Sequence, residues 1–393
     1  MQTVFFQPSL DMWVVTRYED VTAALKDHER FSSALCYDTE TAFNFLEITP
    51  EARAIIDSVI PSTTLQMAGA DQPDHARLRN SVSKAFRPRR IEQLEVRVQR
   101  ISDRLVDRFV NDGQVDLVEQ FTYPLPVLSI LSLIGIPEQD TEQIKSWCAD
   151  WTALMFNKLP PDQQITCAYS LRAFHQYLID LIALRRKEPQ EDLTSDVVQA
   201  IDAGETELSL AETVNLLCHL IGAGHETTVN QLNTCLYHLL RNRSSWLKIQ
   251  NNPEVIPDIA EEILRLDPAL RGPLRVTTEA VTLDGVTIPK GARVYLLLAS
   301  ANRDKEKFSH PEAFDPARKD LHRHITFGYG IHHCLGAPLA RLEIRIALHV
   351  LSQRLPGLRL VPDQELKYKQ SAVVKSLTQL LVEWDKNEAH VYS

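Results

Sequence analysis

The stretch Phe327–Gly336, with the sequence FGYGIHHCLG, decides how the rest of the chain is interpreted. Its three glycines disfavour a regular helix or strand, and they suit a backbone that turns tightly or approaches a flat, bulky group. Cys334 lies near the end of the stretch, just before an apolar helical pattern at residues 337–355. Pro338 fits the first turn of that helix, where its missing N–H costs nothing. Because the positive end of a helix dipole stabilises an anion, the position of Cys334 favours the thiolate.

Three roles are consistent with a cysteine in such a loop. As a thiolate, Cys334 can serve as the axial ligand of haem iron. It can also be a buried structural cysteine, because cysteine is among the most buried residue types. The third alternative is a zinc site, formed with the nearby histidines His322, His324, His332 and His333. Adjacent His332 and His333 are poorly placed to reach one ion, so zinc is the weakest of the three.

Length and composition exclude several classes of protein. The chain has 393 residues, of which 44% are hydrophobic and 24% charged, as in a soluble globular protein with a large core. Its formal net charge of −10 argues against general nucleic-acid binding. No apolar run is long enough for a membrane span, and the segment Met1–Pro8 lacks the pattern of a signal peptide. The six cysteines include no C-x-x-C pair, which fits a reducing cytoplasm.

Hydrophobic periodicity predicts a mainly helical chain with a smaller β-rich part. No linker or repeat divides it, so we expect one domain over residues 1–393. Thr16 and Glu19 form a T-x-x-E capping box that predicts a helix start, and Asp284-Gly285 between two apolar runs predicts a hairpin. The helical parts are expected at about residues 73–270 and 303–356, and the β-rich parts at about 9–17, 275–300 and 358–384.

The longest predicted helix carries an unusual central segment. A second capping box, Ser209–Glu212, predicts its start, and the apolar pattern ends near Leu240. The segment Ala223–Thr228, AGHETT, is a poor helix interior because glycine is flexible and threonine hydroxyls compete for backbone carbonyls. The pair Glu226 and Thr227 can hold water and relay protons. The alternative is a structural kink with Glu226 in a salt bridge, and the pattern leaves both open.

Two pairs of charged residues share helix faces. His75 and Arg79, spaced i,i+4, suit an anionic ligand such as a carboxylate. The alternative for them is an ordinary solvated basic face. Glu262 and Arg265, spaced i,i+3 on a helix that ends before Pro268, form an ion pair. Such a pair is usually exposed, but the apolar composition of this helix also permits a buried one.

Taken together, these segments resemble a bacterial cytochrome P450 over nearly the whole chain and in the family's order. The segment Ala223–Thr227 matches the oxygen-activation motif of the family's central helix. Glu262 and Arg265 match its E-x-x-R motif, and the resemblance makes Arg318 the third member of that ion-pair cluster. The haem-binding signature F-G-x-G-x-H-x-C-x-G is matched at every defined position, namely Phe327, Gly328, Gly330, His332, Cys334 and Gly336.

The resemblance implies a fold, a cofactor and a set of site residues. The fold is mainly α with a smaller β-rich part, and a long central helix lies over the haem. The cofactor is haem b, and Cys334 is the axial ligand of its iron. Glu226 and Thr227 are the implied catalytic residues, which deliver protons and hydrogen-bond the reacting oxygen, whereas the E-x-x-R cluster is structural. The residues implied to contact the haem are His75, Arg79, Ala223, Gly224, Arg275, Thr326, Phe327, Gly328, His332, Gly336 and Ala340.

The implied reaction is a monooxygenation of a small, largely apolar organic substrate, with secondary metabolism as its setting. Two electrons activate O2, one oxygen atom enters the substrate, and the other leaves as water. Because no ferredoxin-like cysteine cluster is visible, we expect a separate ferredoxin-type partner with its reductase. No nucleic acid or membrane partner is expected, and the predicted location is the cytoplasm. Basic candidates for the docking face are Arg87, Arg89, Arg90, Arg341 and Arg345.

A set of apolar residues forms the candidate substrate pocket, and two alternative functions stay open. These alternatives are a peroxide-using or isomerising haem-thiolate enzyme, against which the intact pair Glu226 and Thr227 argues, and a non-catalytic haem-binding protein. The chain departs from the family before the predicted strand Asp11–Arg17, where members usually have a longer segment with a first helix. The pocket candidates are Phe43, Phe45, Ile60, Met67, Met155, Phe156, Leu220, Leu274, Val373 and Val374.

Overall fold

The protein is mainly α-helical, as predicted, in a computed structural model that describes residues 3–37, 48–61, 64–156, 158–369, 371 and 373–389. The helices in these ranges are α1 (Tyr18–Lys26), α2 (Ala34–Tyr37), α3 (Pro50–Asp57), α4 (Asp74–Ser83), α5 (Pro88–Asp107), α6 (Pro124–Ile134), α7 (Thr141–Phe156), α8 (Pro161–Lys187), α9 (Leu193–Asp202), α10 (Leu210–Arg241), α11 (Arg243–Asn251), α12 (Ile256–Leu266), α13 (Leu298–Ala301) and α14 (Ala337–Arg354). A membrane-spanning helix would need a longer apolar run than any helix in these ranges provides.

The strands of the described ranges are short. They are β1 (Val4–Gln7), β2 (Met12–Val15), β3 (Phe31–Ser32), β4 (Gln114–Asp116), β5 (Leu274–Thr277), β6 (Val281–Leu283), β7 (Val286–Ile288), β8 (Arg293–Leu296), β9 (Arg359–Leu360), β10 (Tyr368–Lys369), β11 (Ser376–Leu377) and β12 (Leu381–Glu383). Strands β1, β2, β8 and β5 lie in that order in one sheet, with β2 and β8 parallel. Strand β12 pairs with β4 and β9, and β10 pairs with β11.

The predicted hairpin is confirmed. Strands β6 and β7 are antiparallel, and Val281 lies opposite Ile288. The two turn residues, Asp284 and Gly285, have φ values of 47° and 75°, which a tight hairpin turn of this type requires at both central positions.

The chain is divided into two compact units. The first comprises Met1–Arg30, Pro88–Ser129 and Gly224–Ser393, and the second comprises Phe31–Arg87 and Ile130–Ala223. The first unit holds every strand named above except β3, together with α1, α5 and α11 to α14. The second unit holds β3 with α2, α3, α4, α7, α8 and α9, and its core includes a cluster of Ile56, Leu154 and Leu171.

The longest helix, α10, begins with the predicted capping box. The backbone N–H of Ser209 donates to the Glu212 carboxylate (2.9 Å), and the N–H of Glu212 donates to the Ser209 hydroxyl (3.2 Å). Two orphan donors of the first helical turn are thereby satisfied. The helix then runs for 32 residues and ends at Arg241, one residue beyond the predicted end.

Helix α14, which follows the Cys334 stretch, is fixed firmly in the first unit. It begins at Ala337 with Pro338 in its first turn, as predicted. It packs against α5, α11 and α12. At its end the fully buried Arg354 donates to Asp107 (2.5 Å) and lies 3.5 Å from Asp103, both on α5.

The N-terminal segment differs from the prediction in two ways. Strand β1 lies upstream of the β-rich part predicted at about residues 9–17 and pairs with β2. Thr16 does not cap α1, because its hydroxyl donates to the carbonyl of Thr3 (3.0 Å) beside that strand pair. The N–H of Tyr18 instead donates to the Asp304 carboxylate (2.9 Å). A long-range strand pairing therefore overrides the local capping signal.

Two further boundaries are corrected. Strand β4 interrupts the helical part predicted at about residues 73–270, because it pairs with β12 from the far end of the chain. Residues 303–336 contain turns and two short 3-10 helices, Leu321–Arg323 and Gly330–His332, rather than α-helix. The helical part predicted at about 303–356 is therefore α14 alone.

Candidate functional site

Cys334 lies in a tightly turned loop that leads into α14. Its backbone N–H donates to the carbonyl of Phe327 (2.8 Å), so the two ends of the loop are joined. Gly328 and Gly330 have φ values of 76° and 73°, in the left-handed region that favours glycine. A Cβ at Gly330 would lie 2.6 Å from the carbonyl oxygen of Leu25. The backbone of the loop therefore requires these two glycines.

Cys334 is exposed, whereas the other five cysteines are buried or half-buried. Burial raises the pKa of the Cys235 thiol to about 12 and raises that of Cys218 well above its ordinary value. Such thiols are poor ligands, because the thiolate is the form that binds a metal. The exposure of Cys334 does not agree with the alternative of a buried structural cysteine, and it suits a side chain that meets a ligand.

The segment just before the loop is attached to the end of α12. The Thr326 hydroxyl donates to the carbonyl of Leu264 (2.7 Å) and accepts from the side-chain amide of Asn302 (2.8 Å). The Asn302 side-chain oxygen in turn accepts the N–H of Ile325 (2.8 Å). All four residues are buried. The loop of Cys334 therefore starts from a rigid base, and Thr326, a predicted haem contact, has two protein partners for its hydroxyl.

Glu261 joins α12, the loop and α14 in a charged cluster that sequence reasoning missed. Its carboxylate accepts from Nε2 of His324 (2.7 Å) and from Nε and Nη2 of Arg341 (2.5 and 2.9 Å). Burial alone would raise the pKa of Glu261, but the hydrogen bonds from His324 and Arg341 outweigh burial and hold it at about 2. His324 and Arg341 follow Glu261 by 63 and 80 residues, so no local spacing signal connects them.

Glu262, Arg265 and Arg318 form a second, fully enclosed cluster. Arg265 donates to both carboxylate oxygens of Glu262 (2.8 and 2.9 Å), and Nε of Arg318 donates to the same carboxylate (3.0 Å). Glu262 and Arg265 are 0% exposed. The remaining donors of Arg265 reach the backbone carbonyls of Asn302, Pro311 and Ala313. The cluster thus anchors the turn-rich segment that leads to the loop of Cys334.

The segment Ala223–Thr228 is helical throughout, since α10 runs unbroken across it. The Asn230 side-chain amide donates to the carbonyl of Glu226 (2.8 Å), and the Thr228 hydroxyl lies 3.5 Å from the carbonyl of Gly224. Glu226 and Thr227 are half-buried, and Glu226 forms no ion pair with any residue that the structure describes. The alternative of a kink with a salt-bridged Glu226 is therefore not supported.

Four further predicted haem contacts lie in the same unit as Cys334. Arg275, on β5, is buried, and His332 is half-buried in the short helix Gly330–His332. Ala340 is half-buried and donates its N–H to the carbonyl of Gly336 (2.9 Å). A Cβ at Gly336 would lie 4.0 Å from the Cys334 sulfur, so glycine leaves the space beside that sulfur open.

The second unit holds the remaining predicted haem contacts apart from Gly224. His75 and Arg79 lie one turn apart on α4, where His75 is 2% exposed and Arg79 is half-buried. The alternative of a solvated basic face is therefore wrong for His75. Arg77, between them in sequence, pairs with Glu212 (2.6 Å) at the start of α10. Ala223, the last residue of this unit, is exposed.

The pocket candidates are spread over both units. In the second unit Ile60 and Leu220 are buried and Met67 is half-buried. In the first unit residues 373–375, which include Val373 and Val374, pair with the backbone of residues 269–271, shortly before Leu274. Phe43 and Phe45, and the side chains of Met155 and Phe156, lie outside the described residues.

The zinc alternative is not supported. Among the residues that the structure describes, no group of three or more His, Cys, Asp or Glu side chains is arranged to hold a metal ion. His324 is hydrogen-bonded to Glu261 instead, and the side chain of His322 lies 4.0 Å from the same carboxylate.

Arg341 and Arg345, both considered for partner docking, are ion-paired. Arg341 is held by Glu261, and Arg345 lies 3.0 Å from the Glu95 carboxylate. Both line a groove of about 370 Å³ whose walls come from α5, α12 and α14. Arg89, at the start of α5, is exposed. The groove is thus less positive than the count of arginines alone suggests.

Glu343 is a second buried acid that sequence reasoning missed. It is 0% exposed on α14, and neither of its carboxyl oxygens has a hydrogen-bond partner of normal geometry in the described part of the chain. The hydroxyl of Ser129 lies near the Glu343 carboxyl group, but it donates to the carbonyl of Leu125 (2.8 Å). Burial raises the pKa of Glu343 to about 8. The apolar stripe around Leu339 and Ile346 was the available signal, because Glu343 falls on it.

Glu343 predicts a pH dependence of stability. Between pH 4.5 and about 8 the folded chain keeps this proton and the unfolded chain loses it, so the free energy of unfolding falls as pH rises. In the Glu343→Gln variant this decrease is absent. Its free energy of unfolding relative to wild type should therefore rise by up to about 4 kcal/mol between pH 5 and pH 8. Urea unfolding at both pH values measures this difference. Glu365→Gln, at an exposed site of the same unit, is the control; an equal pH dependence in wild type and Glu343→Gln would contradict the prediction.

Comparison with known proteins gives one consistent result. The family model described as Cytochrome P450 matches residues 141–375. The chain is 37% identical over 376 residues to cytochrome P450 107B1 of Saccharopolyspora erythraea, covering 95% of this chain and 89% of that protein. It is also 37% identical over 381 residues to the mycinamicin IV hydroxylase/epoxidase of Micromonospora griseorubida, covering 95% and 90%. The solved structure of cytochrome P450 CREJ with (4-ethylphenyl) dihydrogen phosphate superposes with a TM-score of 0.89 at 31% identity, covering 98% of this chain and 94% of that one.

Proposed function

The chain belongs to the cytochrome P450 family and is a haem-thiolate monooxygenase, and from this premise we propose that Cys334 is the axial ligand of a haem b. The observation that carries this assignment is the exposure of Cys334 in a tightly turned loop, where Gly336 leaves the space beside its sulfur open. When bound, the haem supplies the iron at which O2 is activated with two electrons. The predicted fold class agrees with the solved structures that the chain resembles.

The residues around Cys334 suit a haem thiolate. The sulfur lies near the start of α14, where the helix dipole favours an anion. Gly336 leaves space beside the sulfur, and the hydrogen bond from the Cys334 N–H to Phe327 fixes the loop. We assign His75, Arg79, Arg275 and His332 to the haem propionates, which cationic donors bind by charge-assisted hydrogen bonds.

Glu226 and Thr227 are proposed to carry the proton chemistry. Glu226 is a half-buried carboxylate without an ion pair among the described residues, and Thr227 follows it on the central helix. A carboxylate and a neighbouring hydroxyl can together hold water and pass protons along it. Of the alternative functions, the peroxide-using or isomerising enzyme has no need for this pair.

The Thr227→Ala variant tests the proton relay. We expect it to consume reducing equivalents and O2 while the fraction of electrons recovered in hydroxylated product falls about tenfold or more, because proton delivery loses a general acid–base group. The measurement compares product formed with NAD(P)H consumed, using a ferredoxin and its reductase and a substrate found by spectral screening.

Thr228→Ala is the matched control for this experiment. The hydroxyl of Thr228 is buried and lies against the helix backbone near Gly224. Its removal should leave the yield of product per electron close to that of wild type. Unchanged coupling in Thr227→Ala would contradict the proposed role of Thr227.

We propose a ferredoxin-type protein as the electron donor and the cytoplasm as the location. No disulfide joins any of the six cysteines in the described part of the chain, which supports a reducing compartment. An acidic ferredoxin suits a basic docking face, for which exposed Arg89 is the best candidate because Arg341 and Arg345 are already paired.

The proposed substrate is a small, largely apolar organic molecule of secondary metabolism. The described pocket candidates, such as Ile60, Leu220 and Leu274, are aliphatic, which favours apolar contacts. The relative from Micromonospora griseorubida is a hydroxylase/epoxidase of mycinamicin IV, and this supports the same class of reaction here. Titration with a ligand panel, read as shifts of the haem spin state, would narrow the class of substrate.

A further inference from the structure

Arg341 contacts two parts of the first unit at once. Its guanidinium binds both oxygens of the Glu261 carboxylate (2.5 and 2.9 Å). The same guanidinium lies over the ring of Phe327, with its central carbon 4.4 Å from the ring centroid. Neither contact was expected from the sequence, where Arg341 is a candidate for partner docking. With 41% of its side chain exposed, Arg341 is ordered by these two contacts rather than by burial.

Phe327 is the residue that holds Cys334 by the backbone. Its carbonyl accepts the N–H of Cys334 (2.8 Å). The position of the Phe327 backbone therefore constrains the position of the Cys334 backbone. A cation over an aromatic face is attracted by the negative potential of that face, even at an exposed site. The guanidinium of Arg341 therefore contacts the side chain of the residue whose backbone constrains Cys334.

Glu261 provides the fixed point for Arg341. It is 5% exposed on α12 and also accepts from Nε2 of His324 (2.7 Å). Because Nδ1 of His324 accepts the N–H of Thr326 (3.3 Å), Nε2 is the protonated nitrogen that donates the hydrogen bond to Glu261. The chain is thus held at His324 and Thr326, just before the signature, and at Phe327, its first residue.

We propose that Arg341 is a positioning residue for Cys334. Arg341 packs on the Phe327 ring and thereby fixes the loop that presents the sulfur. The proposal rests on the proposed role of Cys334 as the thiolate ligand. Arginine suits this task because its planar fork binds a carboxylate with two donors while its flat face lies on a ring. Lysine keeps the charge but can do neither in the same way.

The test replaces Arg341 with lysine in the haem-loaded protein. Two properties are measured: the midpoint reduction potential, by spectroelectrochemistry, and the absorption spectrum of the reduced CO complex. We expect Arg341→Lys to shift the midpoint reduction potential away from the wild-type value, because the placement and hydrogen bonding of the axial ligand tune the potential of haem iron. Part of its CO complex should also lose the absorption band typical of a thiolate ligand.

Arg345→Lys is the matched control. Arg345 lies one turn further along α14, has 40% of its side chain exposed and is paired with Glu95 (3.0 Å). It therefore lies on the same helix face as Arg341 and is exposed to a similar extent. Like Arg341 it is ion-paired, but its partner Glu95 lies on α5, whereas Glu261 lies on α12. Its replacement by lysine should leave the potential and the CO spectrum as in wild type.

The outcomes separate this proposal from a purely structural role and from failure of the proposed function. If Arg341→Lys lowers only the thermal stability, or changes nothing, the positioning role is wrong. If Arg341→Lys does not retain haem, Glu261→Gln is used, because it weakens the hold on Arg341 and should change the same two properties; their constancy would also overturn the proposal. A wild-type protein without the thiolate band would instead contradict the role of Cys334 itself.

Discussion

Replacing Cys334 with serine is expected to abolish monooxygenation and to remove the thiolate absorption band from the reduced CO complex. Serine has nearly the same size, so it fits the loop, but its hydroxyl stays protonated at neutral pH and does not donate electron density to iron as a thiolate does. The loop itself should persist, because its turns depend on Gly328, on Gly330 and on the backbone bond from Cys334 to Phe327.

Cys36→Ser is the control for this variant. Cys36 is the half-buried cysteine of the short helix α2, and its sulfur lies 3.8 Å from the carbonyl of Ser32. Its replacement should leave both the spectrum and the turnover intact. Retention of the thiolate band in Cys334→Ser would mean that another group holds the iron.

Replacing Arg265 with methionine is expected to lower the free energy of unfolding by about 3–5 kcal/mol, because it leaves the Glu262 carboxylate in a site with no exposure to water. Arg318 remains beside Glu262, but its other donors are engaged with the carbonyls of Ser309 and Ala313. Urea unfolding at neutral pH measures the loss, and haem retention should fall with it because the cluster anchors the segment before the loop of Cys334.

Arg359→Met provides the comparison for the buried pair. Arg359 forms an exposed ion pair with Glu383 in the same unit (2.8 Å), and such pairs contribute about 0–1 kcal/mol. A loss of similar size in the two variants would show that the E-x-x-R cluster does not have the stabilising role assigned to it.

The sequence predicted those parts of the site that are encoded by neighbouring residues. The glycine pattern around Cys334 anticipates a tight turn, because left-handed backbone and close approach are local demands. The spacing of Glu262 and Arg265 anticipates their ion pair, since residues three apart on a helix are neighbours. The capping box of Ser209 and Glu212 is predictable for the same reason.

The parts that could not be predicted depend on contacts between distant segments. Glu261 meets His324 and Arg341 only because α12, the loop and α14 pack together, and no residue spacing encodes that packing. Thr16 has the local pattern of a cap, yet its hydroxyl serves Thr3 because β1 pairs with β2. The buried position of Glu343 follows from helix packing that hydrophobic periodicity indicates only for its apolar neighbours.

Whether Cys334 supplies a thiolate to haem iron can be read from the absorption spectrum of the purified wild-type protein, reduced and bound to CO. We expect the red-shifted Soret band typical of haem with a thiolate ligand, present in wild type and in Cys36→Ser and absent from Cys334→Ser. A wild-type spectrum typical of histidine-ligated haem, or the same spectrum in wild type and Cys334→Ser, would contradict it.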